Sequence, residues 1–122
     1  MSTPKKVLLC DDSRAIRMVT GRHLTANGYE VIGEAGNGIE AFKQYCKLKP
    51  DVVLLDLVMP EKDGKAALKK ILEYDENARV VILSSLGSEE DIEECLKMGA
   101  KSYMQKPVDP DSMTKILGAI FE

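Results

Sequence analysis

The chain has 122 residues, 44% of them hydrophobic and 30% charged, with a formal net charge of −3. That length suits one compact domain without a second core of useful size, and the composition is that of an ordinary globular protein and not of a disordered one. The acidic balance gives no general attraction to nucleic acid or to an anionic membrane, so any partner has to be recognised through a local surface.

The opening Met1-Ser2-Thr3-Pro4-Lys5-Lys6 carries two lysines, but the apolar run after it is too short for a signal-peptide core. No stretch approaches the roughly 20 apolar residues of a spanning helix. That first run, Val7-Leu8-Leu9-Cys10, reads as a strand covered on both faces. Asp11-Asp12 follows it directly, and Ser13 is placed to cap a first helix that Asn27-Gly28 ends. Glu30-Val31-Ile32-Gly33-Glu34 is a short apolar pair between charges, as on a sheet edge. After Asn37-Gly38, Ile39, Phe42 and Cys46 fall on one helical face, and Lys49-Pro50 closes the segment. Val52-Val53-Leu54-Leu55 is a third, buried strand ending at Asp56. Asp63-Gly64 precedes a helix with Leu68, Ile71 and Leu72 on one side.

Val80-Val81-Ile82-Leu83 is the fourth strand and ends at Ser84-Ser85. Ser88 is placed to cap a helix bearing Ile92, Cys95 and Leu96. Its acidic start, Ser88-Glu89-Glu90-Asp91-Ile92-Glu93-Glu94, suits the helix dipole and reads as a solvated face. Beyond Gly99, Ser102-Tyr103-Met104-Gln105 is a mixed second edge strand, stopped by Lys106-Pro107. Met113, Ile116, Leu117 and Ile120 then repeat at i, i+3, i+4, i+7. Strand–helix alternation predicts (βα)₅, a three-layer α/β fold with right-handed parallel crossovers. It is expected to occupy residues 1–122 as one unit, with nothing left for an output domain. Cys10, Cys46 and Cys95 have no metal-ligand spacing and read as free buried thiols of a reducing cytoplasm. His23 stands alone, so a zinc site or a histidine-based hydrolase has little support.

Open α/β sheets bind ligands beyond the carboxyl ends of their strands. Asp11-Asp12, Asp56, Ser84-Ser85 and Lys106 all fall there. Singly, each has an ordinary explanation: Asp12 as a cap, Asp56 as a turn residue before Met59-Pro60, Ser84 as loop chemistry, Lys106 as a solvated cation. Together they point to joint chemistry. Three carboxylates at one rim repel one another unless a cation is bound, and hard oxygen ligands favour Mg²⁺. Lys106 adds a fixed positive charge. This set suits phosphoryl transfer, with a carboxylate nucleophile, a metal and an ammonium to neutralise oxygens, and a hydroxyl donor.

The same residues carry a family resemblance. Leu9-Cys10-Asp11-Asp12-Ser13, Leu54-Leu55-Asp56-Leu57-Val58-Met59-Pro60 with Asp63-Gly64, Leu83-Ser84-Ser85 and Lys106-Pro107 resemble response-regulator receiver domains of the stand-alone, chemotaxis (CheY-like) type. The match spans essentially the whole chain. It implies a flavodoxin-like sheet in the order 2-1-3-4-5. It implies that Asp56 accepts a phosphoryl group from a phosphohistidine on a sensor histidine kinase. It implies that Asp11 and Asp12 position Mg²⁺ beside Asp56, with Asp12 a direct ligand and the Val58 main-chain carbonyl another. Ser84 matches the hydroxyl that moves to the phosphoryl group, Lys106 the lysine that pairs with it before a cis Pro107 bond, and Tyr103 an aromatic that turns inward on activation.

The implied protein is a cytoplasmic switch, not a metabolic enzyme, and it catalyses only its own phosphorylation and slow hydrolysis. Phosphorylation would change the face made by the fourth helix, fifth strand and fifth helix. Its implied partners are the kinase and a downstream protein such as a flagellar switch component, with a phosphatase a further candidate; nucleic acid and membrane are not among them. Val108 stands where the family often has Phe, Ser85 where it often has Ala, and Lys97, Lys101 and Lys115 give the output face a mixed character. A phosphorelay intermediate, a phosphate sink and a phosphorylation-incompetent scaffold stay open. A haloacid-dehalogenase-type phosphatase would carry an acid two residues past the nucleophile, where this chain has Val58. A flavodoxin-like binding module would need a Ser/Thr/Gly-rich phosphate loop where Asp11-Asp12 stands.

Overall fold

Consecutive Val, Ile and Leu residues leave a strand no polar face to turn to water, so such strands require cover on both sides. In the computed structural model, which describes residues 3–59, 64–85 and 89–121, ten elements meet that requirement. They run β1 (Lys6–Cys10), α1 (Arg14–Ala26), β2 (Glu30–Ala35), α2 (Gly38–Leu48), β3 (Val52–Asp56), α3 (Gly64–Tyr74), β4 (Val80–Ser84), α4 (Glu89–Met98), β5 (Ser102–Gln105) and α5 (Pro110–Ile120). The five strands form one parallel sheet in the order β2-β1-β3-β4-β5, as the resemblance implied. Central strands β3 and β4 are buried at every residue, whereas the edge strands β2 and β5 are partly exposed.

Alternation along the strands divides the core in two. Leu8, Cys10, Val53, Leu55, Val80 and Ile82 face α2, α3 and α4 through Ala41, Tyr45, Leu68, Ile71 and Cys95. Val7, Leu9, Val52, Leu54, Val81 and Leu83 face α1 and α5 through Leu24, Met113 and Leu117. Each fully buried Leu or Ile contributes about 1.5–3 kcal/mol relative to exposure. Register places Cys10 beside Leu55 and Asp56 beside Leu83, so the strand ends share one rim.

Several helix starts follow their caps. The Ser13 hydroxyl accepts from the Ile16 amide at 3.2 Å, and Asn37 accepts from Glu40 at 2.8 Å. Asp109 accepts from Ser112 at 2.9 Å, with Pro110 beginning α5. Ser88, expected to cap α4, lies outside the described residues, as do Pro60 and Asp63 of the segment after β3. The inward face of α2 differs from expectation. Ala41 and Tyr45 are buried, Phe42 and Cys46 are half-buried, and Ile39 is 41% exposed. Small Ala41 permits close approach, while the Tyr45 hydroxyl donates to Asp75 at 2.9 Å and so has a polar outlet at the end of the packed face. In α4, Cys95 is buried but Leu96 remains exposed. Its acidic start is not wholly solvated, because Lys65 of α3 pairs with Asp91 at 2.6 Å and Glu94 at 2.8 Å.

Gly64 shows how tightly α3 is seated under the rim. A Cβ there would lie 2.3 Å from the Asp56 carbonyl oxygen and 2.6 Å from the Leu57 Cα. Both are backbone atoms, so rotation of a side chain gives no relief. Gly64→Ala should lower unfolding free energy in urea by about 3 kcal/mol, the upper end for overpacking. A variant as stable as the parent would show that α3 is free to retreat.

Candidate functional site

Four of the five strands deliver a polar side chain to the carboxyl rim. Directly after β1, Asp11 is fully buried while Asp12 is exposed. Asp56, at the end of β3, and Ser84, at the end of β4, are each 2% exposed. Lys106 follows β5 and is half-buried.

The Lys106 ammonium organises the group. It donates to Asp11 Oδ2 and to Asp56 Oδ2, each at 3.1 Å. The other oxygen of each carboxylate takes a backbone amide: Ser13 N–H reaches Asp11 Oδ1 at 2.9 Å, and Val58 N–H reaches Asp56 Oδ1 at 3.2 Å. Lys106 is itself positioned by its amide, which donates to the Ser84 carbonyl at 2.7 Å, and the Lys106–Pro107 bond is cis. Ligand oxygens of Asp11, Asp12 and Asp56 lie within 4.8 Å of one another. Three carboxylates face one ammonium, which leaves an excess of negative charge at the rim. The donors are all hard oxygens, so their chemistry fits a small divalent cation such as Mg²⁺.

Burial holds the Asp56 carboxyl above its ordinary pKa, with the Asp11 charge adding to the effect; the Val58 and Lys106 hydrogen bonds only partly offset it. For Lys106, burial lowers the pKa, but hydrogen bonds to Asp56 and Asp11 and their charges outweigh it, so the ammonium is held more firmly than in water. Burial pushes the Cys10 thiol far up, so it is inert. Cys10 and Cys95 form no disulfide and are buried as expected, whereas Cys46, also expected to be buried, is only half-buried.

Of the other expected residues, only Val58 joins the bonds of this centre, through its amide, and the rest sit around it. Val58 is 70% exposed and its amide is engaged by Asp56. Tyr103 is 46% exposed on β5. Ser85 is exposed, and Val108 packs against the core under α5. Two residues at the site escaped the sequence reading. Arg17 of α1 donates from Nε to Glu34 at 2.8 Å and from Nη1 to the Asp11 carbonyl. No motif marks either one. Arg17 lies one turn into a helix with several other cations, and Glu34 is the penultimate residue of an edge strand.

The response regulator receiver domain family matches residues 7–118 of the chain. A chemotaxis protein CheY from Thermotoga maritima is 40% identical over 116 residues, 95% of this chain and 97% of that one. A CheY from Treponema pallidum is 40% identical over 121 residues, covering 98% and 84% respectively. Among solved structures, a CheX–CheY–BeF₃–Mg²⁺ complex from Borrelia burgdorferi superposes with a TM-score of 0.93 at 36% identity, covering 98% of this chain and 90% of that one.

The raised Asp56 pKa has a consequence for stability. Between the unfolded and folded pKa values the native state binds more protons, so stability falls as pH rises through that window. Above the window the cost of an ionised Asp56 is fully present. Asp56→Asn removes that cost and keeps one acceptor oxygen, so one of the two bonds from Val58 and Lys106 is given up. In chelator at pH 7 the variant should therefore be more stable by on the order of 1 kcal/mol. The gain should vanish below about pH 4, where an ordinary carboxyl is protonated in both states. Equilibrium urea unfolding at both pH values checks this; a less stable variant at pH 7 would reverse the sign.

Proposed function

The chain belongs to the response regulator receiver family, in its CheY type, and from that we propose that it is a phosphoacceptor switch for chemotaxis-type two-component signalling. The observation that carries the proposal is the Lys106 ammonium bridging Asp11 and Asp56 at 3.1 Å, beside a third carboxylate from Asp12.

Asp56 is the nucleophile. One carboxylate oxygen attacks the phosphorus of a phosphohistidine, a P–O bond forms, and the P–N bond to imidazole breaks with its electron pair leaving on nitrogen. The Val58 amide and the Lys106 ammonium keep the Asp56 carboxyl group oriented before attack. Lys106 then neutralises charge on the transferred group, and the Ser84 hydroxyl donates to one of its oxygens. Asp11, Asp12, Asp56 and the Val58 carbonyl would hold Mg²⁺, which when bound supplies further neutralisation of phosphoryl oxygens. Hydrolysis of the acyl phosphate by water resets the switch. The structure with BeF₃ and Mg²⁺ supports this reading of the site, since its overall geometry is so close.

A phosphoryl group adds about 1.5 to 2 negative charges at neutral pH. Ser84 and Lys106, at the ends of β4 and β5, are drawn toward it. Tyr103 turns inward from its exposed position, and the face of α4, β5 and α5 changes shape for a protein partner. Partners in this reading are a chemotaxis-type sensor histidine kinase, a flagellar switch component and a phosphatase; the CheX complex of the Borrelia protein supports recognition by protein. None of the described helices is long and apolar enough to cross a membrane. We place the protein in the cytoplasm, working as one receiver unit.

Incubated with Mg²⁺ and acetyl phosphate, the protein should gain one phosphoryl group by intact mass. Asp56→Asn, or chelation of the metal, should abolish the gain. Lys106→Met should slow it by about a hundredfold, the scale for losing a donor aimed at developing charge. No gain from acetyl phosphate or from a phosphohistidine donor would overturn the proposal.

A further inference from the structure

Asp11 and Asp12 are neighbours in sequence, and the peptide that joins them decides where both carboxylates point. That peptide leaves the sheet just after β1, where the β ladder no longer holds it. Its position rests on individual bonds. The Asp11 amide donates to the Ala35 carbonyl at 3.0 Å, which ties it to the end of β2. The Asp11 carbonyl, the oxygen of the Asp11–Asp12 peptide itself, accepts from Arg17 Nη1. Arg17 is in turn fixed at both ends. Its amide donates to the Ser13 carbonyl at 3.0 Å, and its Nε donates to Glu34 at 2.8 Å.

Arg17 and Glu34 are therefore more than a surface ion pair. Such a pair standing alone at a surface contributes little. The Arg17 side chain is only 17% exposed, however, and its second bond goes to the main chain of the acidic site. A hydrogen bond from a charged donor is stronger than one between neutral groups, which lets it favour one orientation of a peptide. The planar guanidinium can reach the Asp11 carbonyl and Glu34 at once from different nitrogens, which a lysine ammonium does less well.

We infer that Arg17, braced by Glu34, is a positioning residue that fixes the Asp11–Asp12 peptide and so tunes the affinity of the acidic cluster for a divalent cation. This rests on the metal-site reading given above. Its sign separates it from a simple charge effect. A guanidinium near a cation site repels the cation, so removing it as a charge alone would tighten binding. Removing it as a brace weakens binding.

Calorimetric titration with Mg²⁺ of the parent, Arg17→Met, Arg17→Lys and Glu34→Gln tests the inference, with thermal unfolding in chelator to confirm that each variant is folded. Arg17→Met should bind Mg²⁺ about tenfold more weakly, the lower end for loss of a residue supporting metal ligands. Arg17→Lys, which keeps the charge, should recover only part of that loss, and Glu34→Gln, which keeps an acceptor, should lose about twofold or less. In phosphorylation by acetyl phosphate, the Mg²⁺ concentration giving half the maximal rate should rise with Arg17→Met, while the rate at saturating Mg²⁺ stays near the parent's. Should Arg17→Met bind Mg²⁺ as well as the parent or better, or Arg17→Lys behave as the parent, the inference is overturned and the metal site stands. A parent that binds no Mg²⁺ overturns both.

Discussion

Acidic side chains brought together without enough positive charge are the constraint on which this structure turns. Asp11 and Asp56 are almost completely removed from water, and Asp12 stands beside them. Like charges at such spacing in a partly buried setting repel by several kcal/mol unless a counter-charge intervenes. Lys106 is that counter-charge among the described residues. It reaches Asp11 after β1 and Asp56 on β3 from the far side of β4. The reach is possible because β4 ends in small Ser84, whose carbonyl holds the Lys106 amide. Sheet order, a small residue at one strand end and a lysine after the edge strand are thus one arrangement. It remains short of positive charge, which is why a metal and a phosphoryl chemistry suit it.

Around this rim the fold is stiff in some directions and loose in others. The β3 and β4 strands are buried throughout and covered on both faces, so Asp56 and Ser84 stand on a rigid floor. Gly64 lets α3 press against the backbone of Asp56 and Leu57, leaving little room for that end of the floor to move. By contrast, β5 is a short edge strand with Tyr103 exposed, and α4 touches α3 through the Lys65 bridges to Asp91 and Glu94. In the proposed switch, local charge at the floor is read by these less constrained elements.

Legibility in the sequence followed the strength of the local physical signal. Buried strands advertise themselves through unbroken Val, Ile and Leu, and β1, β3 and β4 lay where those runs stood. The paired weaker runs marked β2 and β5 as edges because their flanks are polar. Asp11, Asp12, Asp56, Ser84 and Lys106 could be named because each directly follows or ends a strand, and strand ends share a rim in this architecture. Strand order itself came from family likeness, since periodicity does not encode it. The inward face of α2 was read only in part: Phe42 packs against the core as its hydrophobicity suggested, but Ile39 is exposed, and geometry chose small Ala41 and a Tyr45 able to satisfy its hydroxyl. Arg17 and Glu34 were invisible because they meet only after α1 packs beside β2. An arginine that binds a backbone carbonyl leaves no spacing signature.

The most direct examination of the account is to load the rim with a phosphoryl mimic and ask which parts respond. Beryllofluoride with Mg²⁺ would be added to the ¹⁵N-labelled protein and to Asp56→Asn, and backbone amide resonances followed. The account predicts that in the parent the signals of Asp56 to Met59, Ser84, Ser85 and Tyr103 to Lys106 shift together, and that Asp56→Asn shows no such change. Unmoved signals at Ser84 and Lys106 in the parent, or equal shifts in the variant, would contradict a switch centred on Asp56.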